Sequence, residues 1–172
     1  MEYQNSEFES KTFKEINFTD ESFKNSNFTD CTFQNCNLSN LNLENTQFLN
    51  TTFKNCKILG LNFSKCNELI ISFNFIDCII SMSIFSDLNL KGIQFKNCKL
   101  NECDFLKTNL TKSSFENSDL KNSRFSQSNL SYASFKNAKN YSINPNNNTI
   151  KGTIFSIPEV IGLLDTFDIK LE

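Results

Sequence analysis

Apolar residues recur at every fifth position along most of this chain. The series begins Phe8, Phe13, Phe18, Phe23, Phe28, Phe33 and continues Leu38, Leu43, Phe48, Phe53, Ile58, Phe63. A second series runs Phe75, Ile80, Phe85, Leu90, Phe95, Leu100, Phe105, Leu110, Phe115, Leu120, Phe125, Leu130, Phe135. All 25 positions hold Phe, Leu or Ile, and they take 16 of the 19 Phe in the protein. Neither regular element has this period. Five residues of α-helix turn through about 500°, which would scatter the rungs around the cylinder. In a plain strand, an odd period would alternate the rungs between opposite faces. The chain must therefore turn once per repeat.

The residue two before a rung is usually small, as at Ser26, Cys31, Cys36, Thr46, Thr51, Cys56, Cys78, Ser83, Cys98, Cys103, Thr108 and Ser118. Residues two apart point to the same side of a short extended segment. Rung and small neighbour therefore face inward, and the other three residues, rich in Asn, Lys, Ser and Asp, face out. Phe28, Phe48, Phe85, Phe95, Phe105, Phe115 and Phe125 are expected to form the spine of the core. All seven Cys occupy the small inward position, with no CxxC, so they are expected to act as buried fillers rather than zinc ligands or disulfides.

The two series are out of phase by two residues, and the slip falls in 67–74, where Glu68 stands at what should be a rung. Four segments follow: a first repeat block over 1–66, the register break at 67–74, a second block over 75–139, and a differently patterned segment over 140–172. In the last, Ser156 and Glu159 have capping-box spacing with Pro158 in the first turn, which predicts a helix over about Ile157–Phe167. Val160, Ile161, Leu163, Leu164 and Phe167 would give that helix a broad apolar face.

Composition narrows the chemistry. Only four Gly and two Pro leave Asn, Ser and Thr to make the turns, and Asn tolerates left-handed backbone. His is absent, which removes His-based nucleophile pairs and His-based zinc sites. Acids such as Asp77, Asp87, Glu102, Asp104 and Asp119 are scattered among lysines, so no catalytic, cofactor or metal site is expected. Charge is nearly balanced, 17 basic against 19 acidic residues, which gives no reason to expect direct nucleic-acid binding. No apolar run reaches membrane-spanning length, and the polar N-terminus has no signal-peptide core, so a cytoplasmic location is the expectation.

Stretches such as Cys103-Asp104-Phe105-Leu106-Lys107 and Ala133-Ser134-Phe135-Lys136-Asn137 resemble the pentapeptide-repeat family, whose pattern is A(D/N)LXX with Phe or Leu at its centre. The resemblance covers roughly residues 6–139. It implies an all-β, right-handed quadrilateral parallel β-helix with about four repeats, or twenty residues, per coil, followed by the C-terminal helix. Cys36/Cys56 and Cys78/Cys98 would then stack, and alternating Phe and Leu in the second block would put Phe on one opposed pair of faces.

The run Asn140-Tyr141-Ser142-Ile143-Asn144-Pro145, with Lys151-Gly152 and Phe155-Ser156-Ile157-Pro158-Glu159, is similar to the C-terminus of the Qnr and MfpA-like subfamily. That subfamily binds the type II topoisomerases DNA gyrase and topoisomerase IV. The resemblance implies a non-catalytic rod that imitates duplex DNA, with fluoroquinolone protection as a consequence. It also implies a homodimer through Val160, Ile161, Leu163, Leu164 and Phe167, with Ile169–Glu172 as a short strand. The charges fit unevenly: residues 1–30 carry seven acids and three bases, but 75–139 carry six acids and nine bases. A general protein-interaction scaffold or self-immunity factor with another target is the alternative reading.

Overall fold

The computed structural model describes residues 3–67, 71–167 and 169–170. They wind into a right-handed parallel β-solenoid of about seven coils. Each rung lies mid-way along one of four sides, flanked by outward residues, and the chain turns at the second residue after it. At those corners φ is positive: 57° at Asn25, 55° at Asn35, 54° at Asn97, 56° at Asn117. A side chain there crowds the following carbonyl, and Asn bears this better than most residues. Among the described residues Asn takes 12 of the 24 non-Gly corners, standing in for the scarce Gly, and Asp, Glu, Lys and others take the rest.

Coils bond to one another as parallel strands. Phe8 pairs with Phe28 and Phe28 with Phe48; Phe13 pairs with Phe33 and Phe33 with Phe53. The Phe95 N–H donates to the Ser114 carbonyl at 2.7 Å, and the Ser114 N–H donates back to Ile93 at 2.9 Å. The inward hydroxyls join this lattice. Ser118 Oγ donates to the Phe95 carbonyl at 2.8 Å and accepts from the Cys98 N–H at 2.8 Å. A thiol takes the same place at Cys56, whose Sγ lies 3.3 Å from the Phe33 carbonyl. Small polar residues such as Thr46, Thr51, Thr108, Ser118, Ser123 and Ser128 are tolerated in the core because each has a backbone partner one coil away.

The Phe spine is buried throughout: Phe28, Phe85, Phe95, Phe105 and Phe115 have no exposed surface, and Phe48 and Phe125 almost none. In the second block Phe occupies two opposed sides. Phe75, Phe95, Phe115 and Phe135 stack at centroid spacings of 5.2, 5.1 and 4.8 Å; Phe85, Phe105 and Phe125 stack at 5.0 and 4.9 Å. The two columns meet edge to face, as at Phe95–Phe105 and Phe105–Phe115 (84° and 88°). Both geometries suit the ring quadrupole.

At the break the coil gains two residues. Phe53 pairs with Phe75 and Ile58 with Ile80, and the strand Gln47–Lys54 meets Ile71–Ile76 with a register shift between Phe48 and Thr51. Glu68, at the interrupted rung, lies outside the described residues. Phe73 is aligned with Thr51, a position elsewhere kept small, and its ring touches Phe48, Phe53, Phe63 and Phe75. A large side chain from the small position fills the core beside the slip.

The solenoid does not stop at 139. Ser142–Ile143 pairs with Arg124–Phe125, Asn129 bridges Thr149, and Ile154–Phe155 pairs with Ser134–Phe135. Residues 140–155 thus lay down a further, irregular coil, with Phe155 stacked on Phe135 at 5.3 Å and Tyr141 edge-on to it.

The segment after it holds the expected helix, a 3-10 helix over Glu159–Phe167 that begins two residues after Ile157. The capping box does not form, because Ser156 Oγ accepts the Asn137 N–H at 2.9 Å and is committed to the coil below. Of the expected terminal strand, Leu171 and Glu172 lie outside the described residues, and Ile169 and Lys170 are in neither strand nor helix.

Candidate functional site

The interior is given over to packing, so any function lies on the outside. Among the described residues no cluster of three His, Cys, Asp or Glu is arranged to hold a metal. The seven cysteines are all free and buried. Burial pushes the Cys66 and Cys103 thiols up to about 12, leaving them protonated and poorly nucleophilic at neutral pH. Asp104 pairs with Arg124 and Glu44 with Lys24, each at 2.8 Å on the surface. Such exposed pairs orient side chains but contribute little stability.

Two columns of side-chain amides run along the corners. Asn45 Nδ2 donates to Asn25 Oδ1, and Asn25 Nδ2 donates to Asn5 Oδ1, both at 3.0 Å. On another edge Asn137 donates to Asn117 at 3.1 Å, Asn117 to Asn97 at 3.2 Å, and Asn97 to the Asp77 carboxylate at 3.0 Å. These columns rigidify the edges and present a flat surface of low charge. A cleft of about 110 Å³ opens at the break, lined by Ile71, Phe73, Asn89, Lys91 and Gly92. Among the described residues its lining carries one cation, Lys91, and no acid.

Both ends of the rod are plugged by tyrosine. Tyr3 lies over the N-terminal mouth, with ring contacts to Phe8, Phe13, Phe18 and Phe23. Tyr141 fills the same role at the other end, above Phe135. Tyr3 stands one five-residue step before Phe8 and so continues the period, whereas Tyr141 is one residue past the step that follows Phe135, where a fixed period could not reveal it.

The C-terminal residues expected to dimerise are brought together in part. Leu163 turns back onto the core and Val160 is half-buried, but Ile161, Leu164 and Phe167 stand exposed, as do Ile157 and Ile169. Sequence reasoning passed over a second apolar group, Ile79, Met82 and Ile84, exposed on the coil that follows the break. Its signal was present: Ile79, Met82 and Ile84 stand at outward positions where other repeats mostly place polar residues.

The family model for the pentapeptide repeat region matches residues 26–105 and 68–135. With its five-residue rungs and four-sided coils, the chain belongs to the pentapeptide-repeat family. No curated protein matches it in sequence. Two trypsin-treated forms of QnrB1, described as a plasmid-mediated fluoroquinolone resistance protein, each align with a TM-score of 0.53 at 15% identity, covering 99% of this chain and 92% of theirs. HetL, a pentapeptide repeat protein involved in heterocyst differentiation regulation from the cyanobacterium Nostoc, aligns at 12% identity and a TM-score of 0.38, covering 90% of this chain and 86% of its own. No helix among the described residues is long and apolar enough to cross a membrane.

Proposed function

We propose that this protein is a non-catalytic, cytoplasmic rod of the Qnr-like kind that binds a type II topoisomerase, DNA gyrase or topoisomerase IV, in place of DNA, and so protects it from fluoroquinolones. The observation that carries the reading is its end-to-end likeness in fold to QnrB1, 99% of this chain and 92% of that one. The acid-rich N-terminal coils, with Glu7, Glu9, Glu15, Asp20 and Asp30 all pointing outward, supply the negative charge that imitation of DNA needs. Purified protein added to a gyrase supercoiling assay should relieve ciprofloxacin inhibition or itself alter supercoiling. No effect at micromolar protein would remove the reading.

The exposed Ile161, Leu164 and Phe167 support a homodimer through the C-terminus, with Val160 and Leu163 behind them. Light scattering should give twice the chain mass, and Leu164→Asp should halve it. A general interaction scaffold or self-immunity factor is the second reading, favoured by the low-charge amide edges, which suit many flat partners.

A further inference from the structure

We infer that the first coil is built to refuse a further strand. Lys11 and Glu21, set at the inward position that later coils keep uncharged, stop its open backbone edge from pairing with a second copy of the chain.

The hydrogen-bond pattern defines the edge. Strands Glu7–Glu9 and Thr12–Lys14 each have one paired neighbour among the described residues, Asn27–Thr29 and Thr32–Gln34. Asn27 and Thr32 donate their N–H groups to the Ser6 and Lys11 carbonyls at 2.9 and 2.8 Å. The Thr29 and Gln34 carbonyls accept from the Ser10 and Glu15 N–H groups, both at 2.9 Å. One coil earlier the same groups are the N–H of Glu7 and Thr12 and the carbonyls of Glu9 and Lys14. They point out of the end of the rod, a row of donors and acceptors with which another strand could pair.

From Ser26 to Cys66 and from Phe73 to Ala138 the inward position never holds a charge; in the first coil it holds Lys11 and Glu21, with Ile16 between them. Elsewhere a hydroxyl or thiol there bonds a carbonyl of the coil below, as Thr46 does with Phe23 and Cys36 with Phe13. At the end that carbonyl is missing, which releases the position from Ser, Thr or Cys but does not call for a charge. Lys11 does not simply turn away into solvent. Its ammonium rides 5.3 Å from the centre of the Phe8 ring, beside the mouth that Tyr3 covers. A strand seated about 4.8 Å below would strip water from this ammonium and from the half-buried Glu21. Two such ends also repel, since residues 1–30 carry seven acids and three bases. Inward-pointing charge is a general means of closing a sheet edge.

The test follows mass against concentration by light scattering, for the intact protein and for Lys11→Ser/Glu21→Ser. The double variant should keep its circular dichroism, and its mass should climb to about twice that of the intact protein or more. Adding Thr12→Pro removes an N–H that points out of the rod, so the mass should return to that of the intact protein. Lys11→Arg/Glu21→Asp, which keeps both charges, should not grow. Equal masses for the intact protein and the double variant overturn the inference. Growth that Thr12→Pro leaves untouched overturns it too, because the edge is then not the joint. A mass that falls in the double variant would make the two charges a bond between rods, and loss of its fold would give them a packing role; either result overturns the inference.

Discussion

The two repeat blocks share a period but not an interior. In the second, Phe and Leu alternate, and each Phe stacks on the one twenty residues away within 3–17° of parallel. In the first, six successive rungs from Phe8 to Phe33 are Phe, and the rings also meet at tilted angles, 43° at Phe23–Phe28 and 32° at Phe23–Phe33. A square coil has room for aromatic columns on two opposed sides; Leu on the others lets the rings lie flat. Where every side carries Phe, the twenty-residue stacks still form, at 13–20°, but rings on different sides also meet at intermediate angles. Conformity at the small position also lapses in the first coil, where Lys11 and Glu21 stand in place of Ser or Cys.

The sharpest way to break the comparison is to hollow one column. Phe105→Ala removes a ring stacked on both Phe85 and Phe125, and should cost about 3–5 kcal/mol in urea unfolding. Unchanged unfolding would refute the stack. The converse is to crowd the regular block: Leu110→Phe should cost about 1–3 kcal/mol, and Leu38→Phe, in the block that already tolerates tilted rings, should cost less. Equal losses would show that the alternation is not what orders the second block.

A subtler contrast lies within the small positions. Ser118→Ala strands the Phe95 carbonyl and the Cys98 N–H, and should cost about 1–3 kcal/mol. Ser113 Oγ, equally buried, has no hydrogen-bond partner, so Ser113→Ala should be neutral or stabilising. Matching losses would count against the bonded role of Ser118.

The smallest effect at ordinary pH is alkaline. Cys66 and Cys103 bind their protons more tightly folded than unfolded, with values raised from 9.0 to about 12 by burial. Their contribution is complete below pH 9, because both states are then protonated. Above that the unfolded chain holds fewer protons, so stability falls as pH rises toward 12. Replacing both with Ser should remove part of this slope in pH-dependent melting.

How far the sequence foretold this molecule can be judged residue by residue. The column from Phe8 to Phe135 was legible because burial on a period of five has no other physical solution. The slip at 67–74 was legible too, but not its remedy: Phe73 sits two residues before Phe75, where the pattern asks for something small. The coil over 140–155 was hidden because its step changes, from Phe125 to Ile143, and a fixed period cannot follow it. The terminal helix was legible but its cap was not, because Ser156 Oγ accepts the Asn137 N–H of the coil below. Met82 went unread because it stands at a corner, which the period of inward rungs does not describe. A period reports what faces inward. What a rod does with its outside is written in departures from the period.

The two-residue step between Phe53 and Phe75 also bears on how such a chain can change length over generations. Within 75–135, duplicating any twenty consecutive residues brings Phe onto Phe and Leu onto Leu at both seams, so a rod can lengthen by whole coils without disturbing its neighbours. A copy taken across 67–74 would carry the two-residue slip with it, and every residue downstream would be displaced once more relative to the coils upstream. The break is therefore a landmark that inheritance must step around: gene duplication can move the two ends of this rod apart, but it cannot readily make a second middle.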